Sequence, residues 1–150
     1  MQLREFFAED ALRLPLMAAT KDEALAELVA LLRTDEKSAE ALLKMLHRRE
    51  ALGSTGVGRG VAVPHCRSLV VSRLQLAYRY SPAGIPFDAA DGQPVHHVFL
   101  IVAPPNEMSN QYLPTLGKIA QFAKEPGVPE QLSRLTAPAE FFRLLETKGV

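Results

Sequence analysis

The stretch that most limits what this chain can fold into is residues 49–66, where four glycines (Gly53, Gly56, Gly58 and Gly60) fall within eight residues and run into Val61-Ala62-Val63-Pro64-His65. Glycine is costly inside a helix and permits sharp turns or close backbone approach. A helix must therefore end near Gly53, and an extended segment must begin by Val61. Pro64 drives Val63 into extended conformation and ends that strand. His65 is then expected at a strand end, projecting from the sheet edge where loops meet and sites are usually built.

The flanking sequence supplies the rest of an alternating architecture. Leu12, Leu14 and Leu16 alternate with Arg13 and Pro15, which predicts an edge strand. Thr20 followed three residues later by Glu23 is a capping box, and Leu25, Leu28, Val29 and Leu32 continue at helical spacing. Ser38 signals a second helix with Ala41, Leu42, Met45 and Leu46 inward, fraying near Leu52. Strands are predicted over residues 61–63, 74–80 and 95–102, with a glycine- and proline-rich loop over 81–94. Pro114 lacks an N–H, so the third main helix must start near Asn110 or Gln111, with Leu113, Leu116, Ile119, Ala120 and Ala123 buried. Pro126-Gly127 breaks it, and two short helices follow over 129–135 and 139–148. This order predicts an α/β sandwich, a single domain over residues 1–150 with helices on both faces of one sheet.

Composition narrows the function classes. Lys+Arg and Asp+Glu are both 17, so the chain has no net charge to attract nucleic acid. A single cysteine cannot form an intramolecular disulfide, and the opening residues do not read as a secretory leader. Apolar runs such as residues 98–103 fall far short of the ~20 residues that cross a bilayer. A cytoplasmic protein without membrane insertion is expected.

The glycine stretch resembles a phosphate loop, but the known nucleotide motifs fail. A Walker A loop needs Lys followed by Ser or Thr after its second glycine, and Gly58 is followed by Arg59-Gly60. A dinucleotide fingerprint needs strand, glycines and helix, whereas the order here is helix, glycines and strand. What remains is a loop whose N–H groups and two hydroxyls, Ser54 and Thr55, can form a concave anion site beside an imidazole. Imidazole is a good nucleophile for phosphorus near neutral pH. Its phosphoramidate keeps a high transfer potential, which suits a carrier better than a hydrolase. Arg49 and Arg59 can offer guanidinium forks to the group.

Glu50, then six residues, Val57-Gly58, two residues and Val61-Ala62-Val63-Pro64-His65-Cys66 resembles the signature of the type 2 enzyme IIA domains of the bacterial phosphoenolpyruvate-dependent phosphotransferase system. This family comprises fructose, mannitol and nitrogen-regulatory branches. Arg49-Glu50-Ala51-Leu52-Gly53-Ser54-Thr55-Gly56 is similar to the nitrogen-regulatory branch. Gly84-Ile85-Pro86-Phe87-Asp88, Asp91-Gly92-Gln93-Pro94-Val95 and Ala103-Pro104 fit as well, so the likeness runs from about residue 3 to residue 147. It implies a mixed sheet flanked by helices and no cofactor. It also implies that His65 takes a phosphoryl group from the phosphohistidine of HPr or a nitrogen-branch relative. By the same resemblance Arg49 contacts that group, Ser54, Thr55, Gly56 and Gly58 belong to the loop that cradles it, and a IIB domain or regulated target proteins are downstream partners.

One position departs from the family. A second active-site histidine usually precedes the leucine that opens the helix after the last core strand, and here Tyr112 precedes Leu113. A phenol donates one hydrogen bond but supplies no imidazolium charge. Asn110 and Gln111 are candidate replacement donors. The rival expectation is a binding module that keeps the fold without efficient transfer. Cys66 is expected to pack, and Arg67, Arg73 and Arg79 to form either a basic patch near the site that docks an acidic partner or solvated surface. His96 and His97 should point to opposite faces of a strand. His47 and His65 have no second ligand pair at metal-site spacing, so no metal is expected.

Overall fold

The computed structural model describes residues 2–7, 18–106, 110–135 and 137–150. After a short 3₁₀ turn at Leu3–Phe6 come helices α1 (Lys21–Ala30) and α2 (Glu36–Ala51). Strands β1 (Gly56–Gly58), β2 (Val61–Ala62), β3 (His65–Arg67), β4 (Gln75–Ile85) and β5 (Val95–Ala103) follow. The chain closes with α3 (Tyr112–Lys124), α4 (Val128–Leu132) and α5 (Pro138–Thr147). The edge strand expected at Leu12 to Leu16 lies outside the described residues.

Strand β5 is the axis of the sheet. Strand β4 runs antiparallel to it along one edge, with Tyr78 opposite Phe99. Along the other edge β2 and β3 follow one another, both parallel to β5, pairing Val61 with His97 and His65 with Ile101. The Ile101 N–H donates to the Pro64 carbonyl at 3.0 Å, so β5 stays paired across the gap between β2 and β3. The strand that begins at Val61 ends before Pro64, as expected, and His65 opens a further short strand on the same edge. Proline interrupts the ladder, and the chain rejoins the same edge one residue later, leaving His65 inside the sheet edge. The sheet is mixed, as expected.

Alternation along the strands divides the core in two. Val61, Val63, Leu76, Tyr78, Phe99 and Ile101 pack against α3, α4 and α5. Ala62, Cys66, Ala77, Val98, Leu100 and Val102 pack against α1 and α2. Helices therefore cover both faces. Full burial of this many Leu, Val, Ile and Phe side chains, each worth roughly 1.5–3 kcal/mol, is the main stabilising term.

Local chemistry sets several boundaries. The Thr20 hydroxyl accepts from the Glu23 N–H at 3.2 Å, the first half of the expected capping box, and the Glu23 carboxylate turns back to accept from that hydroxyl at 3.0 Å. The second helix is capped by Asp35, whose carboxylate accepts from the Ser38 N–H at 2.7 Å; Ser38 lies inside the helix, not at its cap. Helix α3 starts at Tyr112, which puts Pro114 in the first turn as required. Its buried stripe is Tyr112, Thr115, Ile119, Phe122 and Ala123, and Leu113 faces solvent. The predicted stripe shared Ile119 and Ala123, so pattern alone could not separate the two. Strand β4 runs on to Ile85 through a register shift beyond Tyr80, shortening the expected loop.

Candidate active site

Five elements bring the site together: the end of α2, the glycine stretch, β3, the end of β5 and the start of α3. At the last turn of α2, Arg49 Nη1 donates to the Gly53 carbonyl at 2.8 Å, folding the guanidinium back over its own helix terminus. Cations are favoured there, near the orphan carbonyls. Glu50 turns inward. Its carboxylate accepts from the Thr55 N–H at 3.1 Å and from the Thr55 hydroxyl, and pairs with Lys21 Nζ at 3.2 Å. The Lys21 ammonium also lies 4.8 Å from the centre of the Phe87 ring.

The glycine stretch is more ordered than a flexible cradle. Residues Gly56–Gly58 form β1, antiparallel to β2. Ser54 Oγ donates to the Phe87 carbonyl and accepts from the Gly56 N–H at 3.0 Å, while the Thr55 hydroxyl is committed to Glu50. In this state both hydroxyls and the Gly56 N–H brace the corner itself. A Cβ at Gly56 would come within 2.7 Å of the Ala89 Cβ, so only glycine fits that approach. Gly58 turns the chain at φ +97. Arg59 points away from the site. Its guanidinium donates to the Lys124 carbonyl at 2.9 Å, at the opposite end of α3 from Tyr112 and roughly 18 Å along that helix. The expected Arg59 fork is therefore absent here.

His65 is half-buried on β3, and its Nδ1 lies 2.7 Å from the Val63 carbonyl. A carbonyl only accepts, so Nδ1 carries a proton, and in the neutral ring the lone pair is on Nε2. The Tyr112 ring lies 6.2 Å away, tilted by 58°. The Arg67 guanidinium covers that ring at 4.3 Å and donates to the Pro104 carbonyl at 3.3 Å. Burial pushes the Tyr112 hydroxyl up to about 12, with Cys66 adding to the rise and the Arg67 and Arg49 cations opposing it. Both arginines are thus within electrostatic reach of Tyr112, and the phenol stays protonated. Burial also pushes the Cys66 thiol up to about 11, so it packs against the α1–α2 side as a neutral group.

His65, Arg49 and Tyr112 accordingly converge, with Asn110 and Gln111 leading into Tyr112 at the head of α3. Arg79 is buried, so it does not share a surface patch with Arg67 and Arg73. His97 faces Tyr78, with Nδ1 2.9 Å from the hydroxyl, and His96 turns to the Ser81 carbonyl at 2.8 Å. Sequence reasoning named Arg67 only as part of a basic patch or as solvated surface, not as the partner of Tyr112, and missed Lys21 behind the site. The placement of Arg67 was discoverable: two residues after His65 on a strand, it must leave the same face. Lys21 had no such signal.

The sequence matches the family model for the phosphoenolpyruvate-dependent sugar phosphotransferase system, EIIA 2, over residues 5–148. The chain belongs to this EIIA family. It is 31% identical over 133 residues to a nitrogen regulatory protein of Bradyrhizobium diazoefficiens, covering 88% of this chain and 86% of that protein. The crystal structure of nitrogen regulatory protein IIA-Ntr from Neisseria meningitidis superposes with a TM-score of 0.85 at 29% identity, covering 94% of this chain and 97% of that one. The fructose-specific EIIABC component of Bacillus subtilis is 28% identical over 134 residues, and there the EIIA chain spans only 21% of the relative's length. EIIA domains are phosphotransfer components. Among the described residues, no helix is long and apolar enough to cross a membrane.

Proposed function

We propose that this EIIA protein is a phosphocarrier in which His65 Nε2 accepts a phosphoryl group from the phosphohistidine of an HPr-like protein. One observation carries this reading: the Val63 carbonyl holds the Nδ1 proton, which leaves Nε2 as the nucleophilic nitrogen of a ring 6.2 Å from Tyr112, the residue that Arg67 covers and Arg49 also reaches. In the transfer, the lone pair attacks phosphorus while the donor's N–P bond breaks, and the bonding pair stays on the donor nitrogen. The Nδ1 proton remains on His65, where the Val63 carbonyl stabilises the positive charge the ring acquires. Arg49 offers charge-assisted donors to the phosphoryl oxygens. Ser54, Thr55, Gly56 and Gly58 serve the phosphate by fixing the corner that presents Arg49.

The surroundings suit a protein donor. Leu52, Leu69 and Leu113 are exposed by 86%, 86% and 67%, each within three residues of Arg49, Arg67 or Tyr112. Exposed large apolar side chains beside a reactive group favour a transient protein interface. The similarity to nitrogen regulatory proteins supports a regulatory role, in which the phosphorylation state of His65 sets binding to target proteins; a IIB domain is the other acceptor class. Incubation with phosphoenolpyruvate, enzyme I and each candidate carrier should place an acid-labile, base-stable phosphate on the wild-type chain and none on His65→Ala. Absence of label from every carrier would favour the second reading, a binding module without transfer, which Tyr112 in place of a histidine motivates.

A further inference from the structure

Tyr112 leaves the site without the imidazolium that a second histidine would carry, and the residue stacked on it is itself a cation. His65 and Arg67 leave β3 on one face, while Cys66 between them packs into the opposite layer. The Arg67 guanidinium is held from two sides, by the Tyr112 ring at 4.3 Å and by the Pro104 carbonyl at the end of β5. The same ring faces His65 at 6.2 Å, so one aromatic surface orders both groups. Guanidinium is permanently charged and carries five donors, enough for Pro104 and for phosphoryl oxygens together.

Resting on the phosphocarrier reading of His65, we propose that Arg67 contacts the transferring phosphoryl group and supplies the positive charge that Tyr112 cannot, with the Tyr112 ring as the platform that holds the guanidinium in place. During transfer the three peripheral oxygens of the phosphoryl group carry the negative charge while phosphorus moves between the two nitrogens. Arg67 meets those oxygens, and no proton has to move to or from Tyr112. Tyr112 is a positioning residue: its flat apolar face does the work, and its hydroxyl contributes little.

Single-turnover phosphorylation by the phosphorylated HPr-like carrier, over a range of carrier concentrations, separates docking from transfer. Arg67→Gln should lower the limiting rate about 100-fold while leaving the half-saturating concentration within about threefold. Arg67→Lys, which restores charge, should recover at least about tenfold of that loss. Tyr112→Phe keeps the platform and should stay within about tenfold of wild type; Tyr112→Leu removes it and should fall to about the Arg67→Gln rate. The double variant Arg67→Gln/Tyr112→Leu should be no slower than Arg67→Gln alone, because the two residues act as a unit. An unchanged limiting rate in Arg67→Gln overturns the proposal, as does a Tyr112→Phe rate as low as that of Tyr112→Leu. A wild-type chain that takes no phosphate on His65 instead overturns the carrier reading beneath it.

Discussion

The reactivity assigned to His65 depends on a carbonyl two residues behind it. A histidine side chain in water favours the other tautomer, with the proton on Nε2, which would block the nitrogen proposed as nucleophile. Pro64 prevents this indirectly: it interrupts the ladder between β2 and β3 and leaves the Val63 carbonyl 2.7 Å from Nδ1. The cost of an unmet buried acceptor, about 1–3 kcal/mol, then favours the Nδ1–H form. Nitrogen-15 spectra of the unphosphorylated protein, recorded at alkaline pH where the ring is neutral, should show Nδ1 protonated and Nε2 bare. The opposite pattern would remove the nucleophile proposed here.

At the level of elements, the corner joining α2 to β1 is held by Glu50 more than by glycine. A carboxylate with its side chain 5% exposed binds the Thr55 N–H and hydroxyl and takes Lys21 from α1 as counter-ion. Glu50→Ala should destabilise the fold by about 2–4 kcal/mol, since it leaves the buried Thr55 donors and the Lys21 ammonium without their acceptor. Urea unfolding measures this, and a loss below about 0.5 kcal/mol would show that the corner is held by packing alone. The motif around Glu50 was legible in the sequence because its glycines and proline each demand a particular backbone. The layered fold was legible because the helical stripes and the strand alternation agree on one core. Less was legible where two answers satisfy the same pattern. The α3 stripe could be read through Leu113 or through Tyr112, and only tertiary packing, in the core layer under α3 and against Arg67, decides for Tyr112. Strand β3 has three residues and follows a proline, too short for alternation to announce it. Without β3, Arg67 could be named for a basic patch but not placed on the same face as His65.

Across the whole molecule, the end of the sheet remote from His65 contains a second histidine chain that serves stability. The Tyr78 hydroxyl lies 2.9 Å from His97 Nδ1, His97 Nε2 lies 3.5 Å from Ser133 Oγ, and that hydroxyl donates to the Pro129 carbonyl at 2.9 Å. The chain runs from β4 through β5 to the end of α4, and burial among these groups favours the neutral imidazole. Burial, with a smaller contribution from His96, lowers the His97 pKa from 6.5 to about 4, despite the opposing pull of the Pro129 carbonyl. The unfolded chain therefore binds more protons than the folded one between about pH 6.5 and pH 4, and stability must fall as pH falls through that window. With about 1.36 kcal/mol per pH unit, the loss amounts to about 3 kcal/mol. The Asp35 carboxyl, held below 3.8 mainly by the Ser38 bonds, contributes its own loss only at lower pH, so the two windows separate. Urea unfolding at successive pH values should show this slope in the wild-type protein and a flatter one in His97→Gln, whose amide does not titrate. Equal slopes in the two proteins would place the acid sensitivity elsewhere.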